Sequence, residues 1–259
     1  MELLTLVIIF VAFIGIFTLE VIAPASKNNC DRRWMILASA VNAFQSISTI
    51  GFGLVFVELF SELSLLDLSN INILLQGILG FLVTSFVAYW WHRAMHKFDL
   101  LWRIFHQLHH SPRRIEALTS FYMHPFDGMA ATFINGLCCY LILGLSAYGT
   151  AISLIIAALY NLFIHADLKT PYWLGLILQR PEMHRVHHKH MHHADNYGLA
   201  VWDLLFGTYD NPKEYIEKVG FDEKRERRIY DMLRIKDVYK AEKPPQNPGG
   251  KTAADSMTS

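Results

Sequence analysis

Charge, paired cysteines and several common catalytic motifs are scarce in this chain. Only 18% of its 259 residues are charged and the formal net charge is zero, which argues against a nucleic-acid-binding protein. Its three cysteines form no CxxC pair, so they offer neither a disulfide framework nor an evident thiolate metal site. The chain also lacks His-Glu-x-x-His and a Rossmann glycine pattern. These absences argue against a zinc hydrolase and against a fused nucleotide-binding reductase.

Long apolar runs are abundant instead, and 53% of the residues are hydrophobic. The runs approach or exceed the roughly 20 residues that a helical membrane crossing needs. They cover residues 3–23, 34–60, 71–91, 126–145 and 148–165. The last two form a hairpin, broken near Gly144 and Gly149, that could cross the membrane or re-enter it. The sequence therefore predicts an all-α integral membrane helical bundle of about four to five transmembrane or re-entrant helices.

Charge between the runs predicts their orientation. The connection after the first run carries Lys27, Arg32 and Arg33, whereas the next connection carries Glu62 and Asp67 with no Lys or Arg. The positive-inside rule places the first connection in the cytoplasm. Counting spans from there puts the segments that follow residues 91 and 165 on the same, cytoplasmic face.

Histidine is concentrated in these two cytoplasmic segments, which hold eleven of the thirteen in the chain. The first block contains His92, His96, His106, His109 and His110, and the second contains His184, His187, His188, His190, His192 and His193. Helical spacing of i, i+3 and i+4 projects the imidazoles of most of them from one face. We therefore expect a polyhistidine metal site in a cytoplasmic, histidine-rich helical cap.

The number of imidazoles favours two metal ions over one. A structural zinc takes four ligands and a catalytic zinc takes three plus water, so a single zinc leaves most of these histidines unexplained. On a helix His109 and His110 point about 100° apart, so each could serve a different ion. A two-metal site at the membrane edge opens toward acyl chains or sterol-like bodies, and its natural target is a lipid C–H bond.

The order of the motifs resembles the fatty acid hydroxylase and sterol desaturase superfamily, over roughly residues 89–212. The motifs are HRAMH at 92–96, HQLHH at 106–110, MHP at 123–125, IHAD at 164–167, HRVHH at 184–188, NYG at 196–198 and WDLLFGTY at 202–209. The resemblance implies a membrane oxygenase with a histidine-ligated di-iron centre on the cytoplasmic side. Such enzymes use molecular oxygen and two electrons to hydroxylate or desaturate lipids.

The resemblance also implies a ligand set and a division of the chain. The ligands are His92, His96, His106, His109, His110, His124, His165, His184, His187 and His188. They would hold two iron ions, for which zinc could substitute in purified material, and no catalytic residue is expected beyond the metal centre. Residues 1–88 would be N-terminal transmembrane helices, 89–212 the catalytic region with the hairpin 126–165, and 213–259 a charged cytoplasmic tail that is disordered at its end.

Two departures from the family pattern concern the ligands. Asn161 stands where some members have the first histidine of a His-x-x-x-His pair, and Asp127 stands where a glutamate often follows the His-Pro step. His190, His192 and His193 are expected to be a surface run.

Carboxylates near the motifs are candidates to orient the imidazoles by accepting their second N–H. They are Asp99, Glu116, Asp167, Glu182, Asp195 and Asp203. Asp203 stands out because it follows Trp202 among apolar residues. The aromatic residues Tyr89, Trp90 and Trp91 are expected to form an interfacial belt.

The expected function is hydroxylation or desaturation of a lipid, with electrons from a separate donor such as cytochrome b5, a ferredoxin or a reductase. Within the same superfamily, a sterol methyl oxidase or an ether-lipid oxidase is the alternative. From another class, a divalent-metal transporter or metal-binding membrane protein remains an alternative, although its ligands usually lie near the bilayer midplane. The Ser-Met-Thr-Ser end shows no retrieval signal, which favours a bacterial inner membrane over the endoplasmic reticulum.

Overall fold

The computed structural model describes residues 2–26, 31–60, 64–190 and 194–240. Within these ranges the regular structure is helical, with one isolated β-bridge between Lys189 and Val219. The prediction of an all-α fold is confirmed. Inferences that involve Lys27, Cys30, Glu62, His192 or His193, and the expected disorder at the end of the tail, lie outside the described residues.

Among the residues that the structure describes, ten α-helices are joined by short 3-10 and π segments. They are α1 (Glu2–Ile22), α2 (Arg32–Phe60), α3 (Ile73–Lys97), α4 (Asp99–Leu101), α5 (Pro125–Gly136), α6 (Ala147–His165), α7 (Pro181–His187), α8 (Ala200–Phe206), α9 (Glu223–Glu226) and α10 (Ile229–Leu233). Four of them contain stretches long and apolar enough to cross a membrane, at Leu3–Ile22, Arg32–Val55, Ile73–Lys97 and Ala147–His165. The chain is a membrane protein.

The hairpin is asymmetric: its second arm is long enough to cross a membrane, and its first arm is divided. α5 has 12 residues, about 18 Å of helix, which is short of the roughly 30 Å hydrocarbon core. A π-helix, Leu137–Ile142, follows it. Gly144 then turns the chain with a φ of +58°, and a Cβ there would lie 2.0 Å from the Leu66 carbonyl oxygen. The break that the sequence predicts near Gly144 is therefore a tight turn that only glycine fits.

Buried polar side chains fasten the hairpin to α3. The Gln76 amide donates to the backbone carbonyls of Ser69 and Ile71, and its oxygen accepts from the backbone N–H and hydroxyl of Ser146. A Cβ at Gly149 would lie 2.4 Å from the same amide oxygen. The glycine lets α6 approach α3 closely enough for these hydrogen bonds to form.

A histidine-rich cap is built at one end of α3 and α6, where the short elements gather. α1 reaches it through the buried Glu20, whose Oε1 accepts the backbone N–H groups of Ala117 and Asp167. Those residues follow the second and fourth histidine motifs, so one carboxylate joins two loops of the cap to the first helix.

Two peripheral segments complete the cap. α8 packs sideways on α3, where the Trp202 indole N–H donates to the Ser85 hydroxyl at 3.0 Å and the Phe86 and Trp202 rings are 5.2 Å apart. Farther along the chain, Met232 and Val238 are buried against Trp102 in the core of the cap. Because Ser85 and Phe86 belong to the stretch of α3 that is apolar enough to cross a membrane, α8 packs along that stretch.

Candidate metal centre

Nine histidines converge in two neighbouring groups inside the cap. In each group the nearest ring nitrogens all lie within 4.8 Å of one another, which is the spacing of ligands around one metal ion. The open group is His92, His96, His106, His110 and His187, and the sealed group is His109, His165, His184 and His188. His92 and His96 are half-buried, whereas all four members of the sealed group are buried.

Four separate segments deliver these side chains. His92 and His96 are one turn apart near the end of α3, and His165 is the last residue of α6. His184 and His187 lie on α7, and His188 caps its C-terminus. No segment supplies a whole group, so each group exists only when the helices are packed together.

The second motif splits between the two groups because its helix is irregular. Residues Trp102–His106 form a π-helix, in which the Gln107 N–H reaches the Trp102 carbonyl at 2.8 Å. π-Turns are often found at functional sites, where they redirect side chains. Here His106 and His110 face the open group, while His109 faces the sealed group.

Backbone carbonyls fix the protonation of four of the nine rings. A carbonyl oxygen only accepts a hydrogen bond, so the Nδ1 atom beside it carries the proton and Nε2 of the neutral ring keeps a lone pair. The pairs are His92 with Tyr197 (2.7 Å), His187 with Asp195 (2.8 Å), His165 with Asn161 (2.8 Å) and His109 with Tyr122 (3.3 Å). The bare lone pairs point into the two groups.

The Nε2 lone pairs within each group face one another, which favours a bound cation. The Nε2 atoms of His109 and His165 are 3.2 Å apart, and neither carries a proton that could join them. In the open group the Nε2 atoms of His92 and His106 are 2.8 Å apart. Two lone pairs at these distances repel, and a cation between them turns the repulsion into coordination. The donor set therefore fits a metal ion in each group, and imidazole suits iron, zinc, copper and nickel.

Burial keeps the imidazoles outside the spans neutral, as metal binding requires. The pKa of each lies well below the usual value near 6.5, first because burial penalises the charged ring and then because neighbouring histidines would repel its charge. This holds for His106, His109, His110, His184 and His188.

Asp203 supports the open group indirectly, through the backbone that contacts His92. Its carboxylate is fully buried and accepts the N–H groups of Tyr197 and Gly198 and the hydroxyl of Thr208. Tyr197 is the residue whose carbonyl orients His92. Burial raises the pKa of Asp203 to about 6, so the carboxylate is ionised at neutral pH. Of the carboxylates that the sequence singles out, Asp203 therefore acts on an imidazole through the backbone.

The neighbouring loop holds its shape through an unusual backbone. Asp195 and Asn196 have φ values of 68° and 50°, a left-handed conformation that Asp and Asn tolerate better than most residues. The buried Asn196 amide donates to the carbonyls of Met183 and Asp210. The turn presents the Asp195 carbonyl to His187, which gives the Asn-Tyr-Gly motif a structural role.

These histidine motifs identify the chain's relatives. The fatty acid hydroxylase family model matches residues 77–208, just over half of the chain, and this range contains both histidine groups. The chain belongs to the fatty acid hydroxylase family. The resemblance inferred from the motifs is confirmed.

Curated relatives in other organisms match the same half of the chain. The ornithine lipid hydroxylase of Rhizobium tropici is 33% identical over 144 residues, covering 53% of this chain and 42% of that protein. The sphingolipid C4-hydroxylase of Schizosaccharomyces pombe is 27% identical, covering 53% and 49%. Human alkylglycerol monooxygenase is 31% identical, covering 53% and 31%. The match thus spans less than half of each relative, and no solved structure matches the chain.

Sequence reasoning missed one carboxylate that contacts a candidate ligand directly. The buried Asp127 accepts from His106 Nδ1 at 3.1 Å. We had noted Asp127 only as a departure from a family glutamate. The His-Pro step was the available signal, because Pro125 begins α5 and thereby puts Asp127 in its first turn.

The other carboxylates hold the cap together through different partners. Glu116 accepts the Trp34 indole N–H, Glu182 accepts from Thr170, and Asp167 accepts the hydroxyls of Ser26 and Tyr215. Asp99 pairs with Arg103 at the surface. Asn161 likewise acts through its backbone, since its carbonyl orients His165 while its side chain donates to Ser120.

His124 lies outside both groups. Its Nδ1 accepts the Phe126 N–H and caps the start of α5, and its Nε2 faces the Leu233 carbonyl at 3.3 Å. Both ring nitrogens therefore have backbone partners. His190 also lies apart, with Nδ1 2.8 Å from the Gly220 carbonyl.

A cleft beside the open group connects it to the surface. The cavity, of about 360 Å³, lies at the end of α3 and is lined by His96, Trp90, Arg93, Lys97 and Tyr197 among others. Trp90 is exposed here, as an interfacial belt requires, but Tyr89 is fully buried with its hydroxyl 2.8 Å from that of Thr208. The expected belt is therefore incomplete, because Tyr89 is part of the core beneath the cleft.

Proposed function

We propose that this chain is a membrane-bound non-haem di-iron oxygenase that hydroxylates or desaturates a C–H bond of a lipid. The observation that carries the proposal is the pair of buried imidazole groups whose unprotonated Nε2 atoms face each other. The ornithine lipid hydroxylase, the sphingolipid C4-hydroxylase and alkylglycerol monooxygenase support it as relatives whose names describe lipid oxygenation.

The nine histidines of the open and sealed groups are the proposed ligands. His124 is left out of this set because both of its ring nitrogens contact the backbone. Iron held by such a set supplies the activation of molecular oxygen that breaks an unactivated C–H bond. We assign the ligands and their supports to residues 89–212, and the anchoring helices to residues 1–88.

The chain's own residues do the positioning. Asp203 and the Asn-Tyr-Gly turn hold His92 and His187, Asp127 holds His106, and the burial of the sealed group excludes water. Excluding water suppresses side reactions at a reactive centre.

The overall reaction requires a separate electron source. Hydroxylation converts R–H, O₂, two electrons and two protons into R–OH and water, while desaturation removes two hydrogens and reduces O₂ to two molecules of water. No group that donates electrons is evident in the sequence. A partner such as cytochrome b5, a ferredoxin or a reductase would dock on the cap, which we place on the cytoplasmic face of a bacterial inner membrane or the endoplasmic reticulum.

An ether-lipid oxidase is the second candidate, and human alkylglycerol monooxygenase, 31% identical over 150 residues, favours it. Oxidation of the carbon beside an ether oxygen gives a hemiacetal that breaks into an aldehyde and an alcohol. The same site could carry out either reaction, because the two differ in which carbon is presented.

Lipid mass spectrometry with ¹⁸O₂ tests the proposal. Cells that express the wild type, His187→Ala or the control His190→Ala are grown with the labelled gas, and their lipids are compared. We expect a lipid with one added ¹⁸O in the wild type and in His190→Ala, and its absence in His187→Ala. Loss of two hydrogens without label indicates desaturation, and a labelled aldehyde indicates ether cleavage.

Identical lipids in all three cultures would contradict the proposal, provided that purified wild type holds iron and receives electrons from added dithionite and a mediator. A metal-binding or metal-transporting role would then explain the histidines better.

A further inference from the structure

The cleft at the end of α3 has the chemistry of an anion site. Arg93 and Lys97 both line it, and they are one helical turn apart on the same face. Within the described part of the chain, neither has a carboxylate at ion-pairing distance, although most other cations of the cap do. Two like charges on one face repel, and an anion between them removes that cost.

Arg93 is held in place by neutral groups. Its guanidinium lies 5.1 Å from the ring centroid of Trp90, 5.6 Å from Tyr89 and 5.9 Å from Tyr197, and it donates to the Tyr89 hydroxyl at 3.2 Å. Aromatic rings orient a guanidinium without neutralising it. Arg93 is half-buried, and the remaining N–H groups of its guanidinium can donate to an anion.

The cleft lies where lipid head groups are found. The membrane-spanning stretch Ile73–Lys97 ends at Lys97, and the next residues, Phe98 and Leu100, are 53% and 57% exposed. α8 lies beside α3 with Leu204 and Leu205 also exposed. Apolar side chains around a basic cleft at the end of a span match the boundary between acyl chains and head groups.

The cleft also touches the metal centre. His96 lines it and belongs to the open group, and it lies three residues, about 4.5 Å of helix rise, from Arg93 on α3. An anion on Arg93 and Lys97 therefore places only the carbons a few bonds away beside His96.

We propose that this cleft binds the phosphate or carboxylate of an anionic lipid and presents a carbon close to that group to the open group. Presentation of the carbon to the open group rests on the proposed function. Binding of the anionic lipid does not depend on it. The cleft thereby sets both the substrate class and the position of oxidation.

Retention of anionic lipid by the iron-loaded protein tests the binding site. Wild type, R93Q/K97Q and the control R32Q/R33Q are placed in nanodiscs of phosphatidylcholine with 5% phosphatidylglycerol, taken up in mild detergent and weighed by native mass spectrometry. The control removes the same charge from exposed residues at the start of α2. Iron per chain is measured on each sample.

We expect wild type and R32Q/R33Q to retain phosphatidylglycerol and R93Q/K97Q to bind it at least about tenfold more weakly, because charge-assisted hydrogen bonds to phosphate are among the strong ones. Equal retention by R93Q/K97Q, with iron unchanged, would overturn the proposal. If that variant loses iron or misfolds, K97Q alone, which changes an exposed side chain, replaces it with the same expectation. Displacement by 10 mM inorganic phosphate as readily as by short-chain phosphatidylglycerol would also overturn it, since the site would then bind free phosphate.

The oxygenation assay separates this inference from the proposed function. Selective lipid retention with no ¹⁸O in any lipid would support the binding site and contradict the oxygenase function. Incorporation of ¹⁸O far down an acyl chain, distant from the anionic group, would overturn the proposed presentation even if lipid is retained.

Discussion

The open and sealed groups solve one problem, the holding of a cation by neutral imidazoles, in different surroundings. The sealed group has four histidines, all buried, and they contact one another through Nε2 at 3.0 to 3.2 Å. The open group has five, two of them half-buried, and its member His96 lines the cleft. The comparison indicates a directional centre: under the proposed function, substrate would approach an ion in the open group through the cleft, while the buried imidazoles of the sealed group would shield the second ion.

The largest expected effect comes from removing one imidazole from each group. His188→Ala leaves three ligands in the sealed group, whereas His110→Ala leaves four in the open group. We expect His188→Ala to lose one of two metal equivalents and at least about 100-fold in product formation, and His110→Ala to keep both and lose about 10-fold. Metal analysis after equal dialysis, together with product rates, measures this. Equal metal loss in the two variants would contradict the predicted difference between the sealed and open groups.

Asp203→Asn should weaken the open group alone. The change removes the carboxylate that holds the Tyr197 and Gly198 N–H groups, and with it the orientation of His92. One metal equivalent should bind about 10–100-fold more weakly, while the other is unaffected. Metal titration against a chelator reports the two affinities. Asp222→Asn, at the N-cap of α9, is the control, and weakening of both equivalents would contradict the separation.

Acid should destabilise the metal-free protein, and the sealed group should contribute most. Imidazoles whose pKa is lowered by folding bind more protons in the unfolded chain, so stability is lost as the pH falls below about 6.5. Each contributes up to about 1.4 kcal/mol per pH unit. His109, His184 and His188 belong to the sealed group, and His106 and His110 to the open group. Asp203 and Asp127 oppose them, because burial raises the pKa of Asp203 to about 6 and that of Asp127 to about 8. Each holds a proton in the folded chain, and its contribution to stability falls as the pH rises toward its pKa.

Thermal unfolding of the chelated protein at pH 7.5, 6.5 and 5.5 measures this slope. A His188→Gln variant has one such imidazole fewer and should fall less steeply. Stability that stays level or increases toward pH 5.5 would refute the neutral, buried state of these rings.

The smallest effect is expected at His124, which belongs to neither group. His124→Asn keeps a side-chain acceptor for the Phe126 N–H, so the cap of α5 survives. We expect unchanged metal content and a loss of stability of about 1 kcal/mol, because the buried side chain gives up its contact with the Leu233 carbonyl. Metal analysis decides the matter, because the loss of one equivalent would restore His124 as a ligand and extend one of the groups.

The helices were predictable because their signal is local. Apolar runs long enough to cross a membrane match α1, α2, α3 and α6, and even the break at Gly144 is visible in the chain. The short α5 was harder, because the π-helix Leu137–Ile142 that follows it has the same apolar composition as a spanning helix. Hydrophobicity alone does not distinguish a continuous helix from an interrupted one.

The centre was predictable as a set of residues, but not as an arrangement. Spacing indicated that His109 and His110 face different ways, yet the partners of each come from α6 and α7, far along the chain. The carbonyls of Tyr197, Asp195 and Asn161 were not predictable, because a backbone carbonyl has no signature in sequence. Tertiary packing decides which of many such groups meets an imidazole.

The dispersal of ligands along the chain imposes an order on biosynthesis. The open group begins with His92 and needs His187, and the sealed group begins with His109 and needs His188. At about 5–20 residues per second, the ribosome takes on the order of 5–20 seconds to pass from the first block to the last. During that interval the open group lacks His187 and the sealed group lacks His184 and His188, so a metal captured early would be held by an incomplete ligand set and exchange more freely. Stable loading belongs to the moment when α7 closes over the cap, after translation has passed residue 188.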